Sequence, residues 1–237
     1  MAGLKFGIKE VANVIFSDIV TGEIQIIFDT LKVSSIENNA DTVDATGGRG
    51  GGKLLTWEQN RTATVSLTDA LISMQSLALL AGDKVITEGI ELQRKKVVKG
   101  SEIATLKEKT GFLAYERVDG NLGEKLADVE SPVPDKEYLV FFREVAEEGE
   151  KAEKVVFSSE KYGGYYRVTM DALVRDQKGN DQPMQVVFPK AKLQSGFTFT
   201  LDVENVSTFD FNMEANKDEN NELYYVVKYE TLDGVIQ

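Results

Sequence analysis

Cysteine and histidine are both absent from the 237 residues, and the double absence removes several chemistries at once. Disulfide stapling, thiolate nucleophiles, histidine-based catalytic triads, zinc sites and haem ligation through either residue are excluded. A carboxylate-based hydrolase or an oxygen-ligated Mg²⁺ or Ca²⁺ site survives that filter. Histidine is, however, the commonest general acid–base, and the expectation is a non-enzymatic protein without cofactor or metal. Long apolar runs are lacking too. None approaches the ~20 residues of a membrane-spanning helix, and the opening Met1-Ala-Gly-Leu-Lys-Phe-Gly carries no secretory pattern. Both observations predict a chain made and kept in the cytosol, with no membrane partner. Positive charge is scarce, with 27 Lys and Arg against 39 Asp and Glu, a net charge of -12 and a pI near 4.7. That balance argues against gripping a phosphate backbone. It suits a wall past which a nucleic acid slides without being held, and it equally suits plain solubility.

Hydrophobic residues make up 42% and charged residues 28%, the balance of an ordinary globular chain long enough for one large β domain with an insertion. Period-two alternation dominates. In residues 196–204, Phe197, Phe199, Leu201 and Val203 alternate with Thr198, Thr200, Asp202 and Glu204; residues 209–214 repeat the pattern, and after the polar turn at 217–222 residues 223–230 complete a three-strand meander. Residues 165–177 and 182–193 flank Lys178-Gly179-Asn180-Asp181 and read as a long hairpin. Tyr166, Val168, Met170, Ala172 and Val174 keep one parity on its first arm, as do Met184, Val186 and Phe188 on its second. Pro183 and Pro189 lack a ladder donor, which favours an arm with one open edge. Residues 11–20 and 24–30 form a hairpin about Thr21-Gly22-Glu23, and residues 31–37 continue extended.

One helix is predicted over 69–81, capped by Thr68 or Asp69, with Leu71, Met74, Ala78 and Ala81 on one face and Gly82 ending it. The middle holds strand-like pieces at 90–98, 112–118, 138–143 and 155–158 among charged loops. The expected organisation is thus 1–83 as the first part of the main domain, 84–160 as an insertion or accessory subdomain, and 161–237 as the long hairpin and closing strands.

Gly47-Gly48-Arg49-Gly50-Gly51-Gly52-Lys53 matches the first seven positions of the phosphate-cradling loop. That loop needs a Ser or Thr hydroxyl next and then a helix, whereas Leu54 follows and Leu54-Leu55-Thr56-Trp57-Glu58 reads as a strand. The segment, with the preceding residues 37–44, is expected to be a flexible loop that orders against a neighbouring subunit, leaving Arg49 and Lys53 free to pair with acidic groups there. Acid concentrates toward the end of the chain, where nine Asp or Glu stand against two Lys in residues 201–237. That is either a solvated sheet face or an acidic wall inside a ring. The single tryptophan and the other aromatics follow strand alternation rather than basic residues, so base-stacking platforms are not indicated.

Four passages resemble the tail tube (major tail) proteins of bacteriophages: residues 26–37, Ile-Ile-Phe-Asp-Thr-Leu-Lys-Val-Ser-Ser-Ile-Glu; the glycine loop leading into Leu54-Leu55-Thr56-Trp57; residues 63–73, Ala-Thr-Val-Ser-Leu-Thr-Asp-Ala-Leu-Ile-Ser; and residues 188–199, Phe-Pro-Lys-Ala-Lys-Leu-Gln-Ser-Gly-Phe-Thr-Phe, running on to Phe211. The resemblance covers the first third and last quarter of the chain. It implies a mainly β subunit, an antiparallel sandwich or barrel-like fold with one packed helix and a long hairpin. It further implies that six copies form a ring, that rings stack into a tube conducting double-stranded DNA without specific binding, and that the tube assembles in the bacterial cytoplasm as part of a virion tail. Tape-measure, baseplate and sheath or terminator proteins are the partners it suggests. On that reading Gly47 to Lys53 and the hairpin tip Lys178, Gly179, Asn180 and Asp181 are candidate inter-subunit contacts, and Asp171, Asp202, Glu204 and Asp210 are candidate lumen-facing acids. Another phage structural component, such as a head-decoration, baseplate or capsid protein, would share the composition. A carbohydrate-binding β module would need exposed aromatics, and a carboxylate glycosidase a cleft with paired acids.

Overall fold

The alternation of apolar and polar side chains turns most of the chain into antiparallel strands. The structure, a computed structural model, describes residues 5–8, 13–199 and 208–230. In chain order the elements are β1 (Phe6–Ile8), β2 (Asn13–Asp18), β3 (Ile24–Phe28), β4 (Leu31–Gly47), β5 (Gly52–Asp69), α1 (Met74–Ala81), β6 (Glu91–Lys99), α2 (Ile103–Leu106), β7 (Thr110–Val118), β8 (Asn121–Lys125), β9 (Glu137–Val145), β10 (Tyr165–Asp176), β11 (Asp181–Phe199), β12 (Phe209–Ala215) and β13 (Tyr225–Lys228). They form two compact units. One is Val85–Lys154, and the other is built from the chain before and after it.

The larger unit is one antiparallel sheet ordered β3-β2-β10-β11-β12-β5-β4, with β1 added to β10 and β13 to β11. Among the described residues it does not close into a barrel. Its inner face carries Phe16, Phe28, Val65, Leu67, Phe188, Leu193, Phe209 and Phe211, all buried. Phe28 and Phe211 lie 5.0 Å apart between centroids, Phe16 and Phe28 5.5 Å, and Phe209 and Phe211 5.6 Å. Each fully buried ring contributes on the order of 2–3 kcal/mol, and such tilted pairs about 0.5–1.5 kcal/mol more. The long hairpin follows its alternation: Val168 opposes Phe188, Met170 opposes Val186 and Ala172 opposes Met184.

Other expectations need correction. The helix starts five residues later than predicted, because β5 runs on to Asp69. Buried Asp69 spends its carboxylate on Thr30 Oγ1 (2.5 Å) and the Leu71 amide (3.3 Å). Ser73 caps α1 instead, accepting from the Ser76 amide while the Ser76 hydroxyl accepts from the Ser73 amide. Leu71 is therefore exposed and off the helix, and Leu80 joins the core. Gly82 does end α1, at φ 66°.

The C-terminal strands are not a three-strand meander. Residues 182–193 and 196–199 belong to the single strand β11, and residues 200–204 lie outside the described residues. β12 pairs with the later part of β11, from Ala191↔Ala215 to Phe199↔Phe209, whereas β13 returns to its earlier part, from Met184↔Lys228 to Val187↔Tyr225. The Asp218 carboxylate turns the chain back by accepting from the amides of Asn220 (2.9 Å) and Glu222 (2.8 Å). Over Asp181–Lys192 β11 has β10 on one side and β13 and then β12 on the other, so among the described residues this arm has no long open edge. Pro183 sits where β13 ends, its carbonyl accepting from the Tyr229 amide, and Pro189 falls in the gap between the two registers.

In the unit Val85–Lys154 a four-stranded sheet ordered β6-β9-β7-β8 buries Val98, Ala114, Tyr138, Val140 and Phe142 against Ile103 and Leu106 of α2. Gly100 allows close approach of the loop before β9: a Cβ there would stand 2.1 Å from the Val133 carbonyl oxygen. The strand-like pieces at 90–98, 112–118 and 138–143 correspond to β6, β7 and β9. Residues 155–158 form no strand; Phe157 instead packs on Phe197 at 5.3 Å.

Candidate assembly surfaces

The glycine-rich segment is not a long flexible loop but the tip of the β4–β5 ribbon. Gly47 ends β4, Gly52 and Lys53 begin β5, and only residues 48–51 turn, with Gly48, Gly50 and Gly51 at φ 81°, 105° and 65°. These values suit glycine and few other residues. The residues 37–44 expected to be flexible lie within β4. The alternation in Thr42-Val43-Asp44-Ala45-Thr46 signals that strand, although the surrounding Asn, Asp and Gly read as loop.

β5 pairs with β12 only over residues 64–69. Beyond that point, among the described residues, residues 38–47 and 52–63 pair only with each other, a two-stranded ribbon on the order of 33 Å long. Val43 opposes Trp57 and Ala45 opposes Leu55, so the four share one face. Leu55 and Trp57 are 60% and 54% exposed. On the other face Asp44 accepts from Thr56 Oγ1 (2.6 Å) and forms an ion pair with Lys53. The Lys53 ammonium, and secondarily the Thr56 hydroxyl, holds the Asp44 carboxyl below its ordinary value. Lys53 is thus engaged within its own ribbon rather than free for a partner, while Arg49 is exposed at the tip.

The tip of the β10–β11 hairpin is tightly built. Asp176 Oδ1 accepts from the amides of Lys178 (2.8 Å) and Asn180 (2.9 Å), Gly179 takes φ 91°, and Arg175 grips Asp181 through two 2.6 Å contacts. The backbone donation from Asn180 leads in keeping the Asp176 carboxyl below its usual range. Lys178 to Asp181 therefore form a fixed corner.

Of the four candidate acids, the two among the described residues, Asp171 and Asp210, stand apart. Asp202 and Glu204 lie outside the described residues. Asp171, opposite Gln185 and Asn13, is half-buried. Asp210, opposite Thr198 and Thr68, is exposed far along β11 from that position. Around Asp210 the outward side of β4, β5 and β12 presents Ser35, Ser66, Thr68 and Asn212 with Glu37 and Glu214. Among the described residues the strand order of the larger sheet ends at the outer sides of β3 and β4, which are open. A cleft of about 560 Å³ lies beside β3, lined by Ile26, Ile27, Leu71 and Ile72 among others. The apolar face of the ribbon and both edges escaped sequence reasoning, since each depends on which strands pair.

The chain is thus mainly β and antiparallel, with open edges and a solvated apolar ribbon. A sequence model of the YomU/Tube protein family matches residues 6–227, and the chain belongs to that family, that of phage tube-type structural proteins. No curated protein matches the chain.

Proposed function

We propose that the chain polymerises into stacked hexameric rings forming a phage tail tube, and that the tube conducts double-stranded DNA. The observation carrying this reading is the β4–β5 ribbon. An isolated two-stranded ribbon is marginal in water, and this one also exposes Val43, Leu55 and Trp57 on one face. A neighbouring subunit that covers the face removes apolar area from water and orders the strands together. Rings bring the open edges of β3 and β4 to other subunits, which is how assemblies make edges safe. The outward side of β4, β5 and β12 bears Ser35, Ser66, Thr68 and Asn212 with the acids Glu37, Asp210 and Glu214, and the adjoining β11 sets the cation Lys192 opposite Glu214. As a lumen wall that side offers hydroxyls and net negative charge, so a passing duplex is not held. The fixed corner at Lys178 to Asp181 is a contact between adjacent subunits or rings.

Trp57 is the only tryptophan, so its fluorescence reports the ribbon directly. Purified protein is expected to form hollow tubes or six-fold rings by negative-stain microscopy, with the emission moving to the blue as tubes form. Leu55→Ser combined with Trp57→Ser should leave a folded, monomeric protein. A stable wild-type monomer at every concentration, or tubes built equally well by the double variant, would sink the proposal.

A further inference from the structure

The outer face of the smaller sheet departs from what a one-sided antiparallel sheet requires. Such a sheet buries one face and keeps the other polar. Here α2 covers the face bearing Val98, Tyr138 and Phe142. The opposite face carries Val97, Leu139 and Tyr115 in one row, and Lys95, Phe141 and Leu113 in the next. Val97 is 47% and Leu113 40% exposed. Tyr115 and Phe141 meet edge to face, with centroids 6.1 Å apart.

A cationic rim surrounds this centre. Arg117 and Arg143 pair within the face, with Glu137 (2.8 Å) and Glu91 (3.2 Å). Lys95, Lys99 and Lys125 are exposed, and among the described residues none has an ion-pair partner. Five cations against two carboxylates give a locally positive surface on a chain of net charge -12. An apolar, aromatic centre within a charged rim is the anatomy of a protein interface. The rim's sign selects an acidic partner.

We infer that this face of the Val85–Lys154 unit docks onto an acidic surface of a second copy of the same chain. Charge complementarity favours that occupant, since the rest of the molecule carries the opposite sign. Wherever the chain polymerises, that acidic surface is present at stoichiometric and locally high concentration. The inference rests on the self-assembly proposed above. It adds a second contact to the ribbon, one that is weakened by salt as the ribbon's apolar contact is not.

The cysteine-free chain allows a direct test, because Val97→Cys introduces the only thiol. Full-length protein labelled there with a thiol-linked photocrosslinker and irradiated in the assembled state is expected to give a two-chain product joined to an acidic segment of the second copy. Lys95→Glu, Lys99→Glu and Lys125→Glu together should raise the concentration at which assembly begins at least tenfold, with the melting temperature unchanged. Crosslinks confined to one chain, crosslinks only to an added anionic polymer or membrane, or a triple variant assembling at the wild-type concentration each overturn the inference. The two readings fail separately. Wild-type tubes without a two-chain crosslink leave the tube proposal standing, and a two-chain crosslink in protein that never forms tubes leaves the docking face standing.

Discussion

At Gly82 two requirements coincide in one residue. Its φ of 66° closes α1, and a Cβ there would lie 2.1 Å from the Tyr162 carbonyl oxygen. Gly22 takes a similar φ of 74° with nothing within 4 Å. Gly22→Ala should therefore cost only the left-handed conformation, about 1–2 kcal/mol. Gly82→Ala must also displace backbone, so its melting temperature in a thermal scan should fall clearly further; equal losses would show that the Tyr162 segment yields freely. Asp44 gives a pH prediction. Lys53, then Thr56, lowers its carboxyl, so the contact's contribution is complete above the unfolded carboxyl value of ~3.9. It disappears as pH falls through the lower folded value. Trp57 emission, read across the ribbon at 57, should stay constant down to about pH 4 and change only below it. Lys53→Met should move that change upward.

The elements show where sequence reading succeeds. β12 and the β10–β11 hairpin were legible because strict alternation puts one parity in the core. α1 was legible as a helix but not in its start, since Asp69 and Ser73 are equally good caps and only the pairing of β5 with β12 assigns Asp69 to a strand. β8 was missed: Asn121-Leu-Gly-Glu-Lys125 has no alternation, and the Asp119-Gly120 pair that turns the chain into it, at φ 50° and 83°, was the available signal. Two tests belong to this scale. Ser73→Ala removes the cap from α1 and should lower stability by about 1 kcal/mol in urea unfolding. Phe211→Ala empties a position in contact range of Phe16, Phe28 and Phe209, for about 3–5 kcal/mol. A loss below 1 kcal/mol would mean that the aromatic cluster is not the centre of the core.

In the whole molecule, two separate cores predict separable unfolding. Gly100→Ala sets a Cβ against the Val133 carbonyl and should lower one calorimetric transition while leaving that of the larger unit in place. A single transition that shifts as a whole would contradict this. The lumen proposal makes a functional prediction. Asp210→Asn with Glu214→Gln should leave tubes intact and slow DNA ejection from particles that carry them; unchanged ejection would remove the β12 face from the channel wall.

Composition and alternation were enough to set the chemistry available to this protein and its mainly β character. Missing thiols and imidazoles remove reactions whatever the fold, and strand periodicity is a local property of the chain. The candidate surfaces depended on partners distant in sequence. Whether residues 37–44 were loop or strand, whether Lys53 was free, which acids shared a face and which strands remained edges were decided by pairing across the sheet, as Val43 met Trp57 and β13 returned to β11. Such pairings are fixed by the burial of one whole face against a common core, and no short window of sequence contains that information.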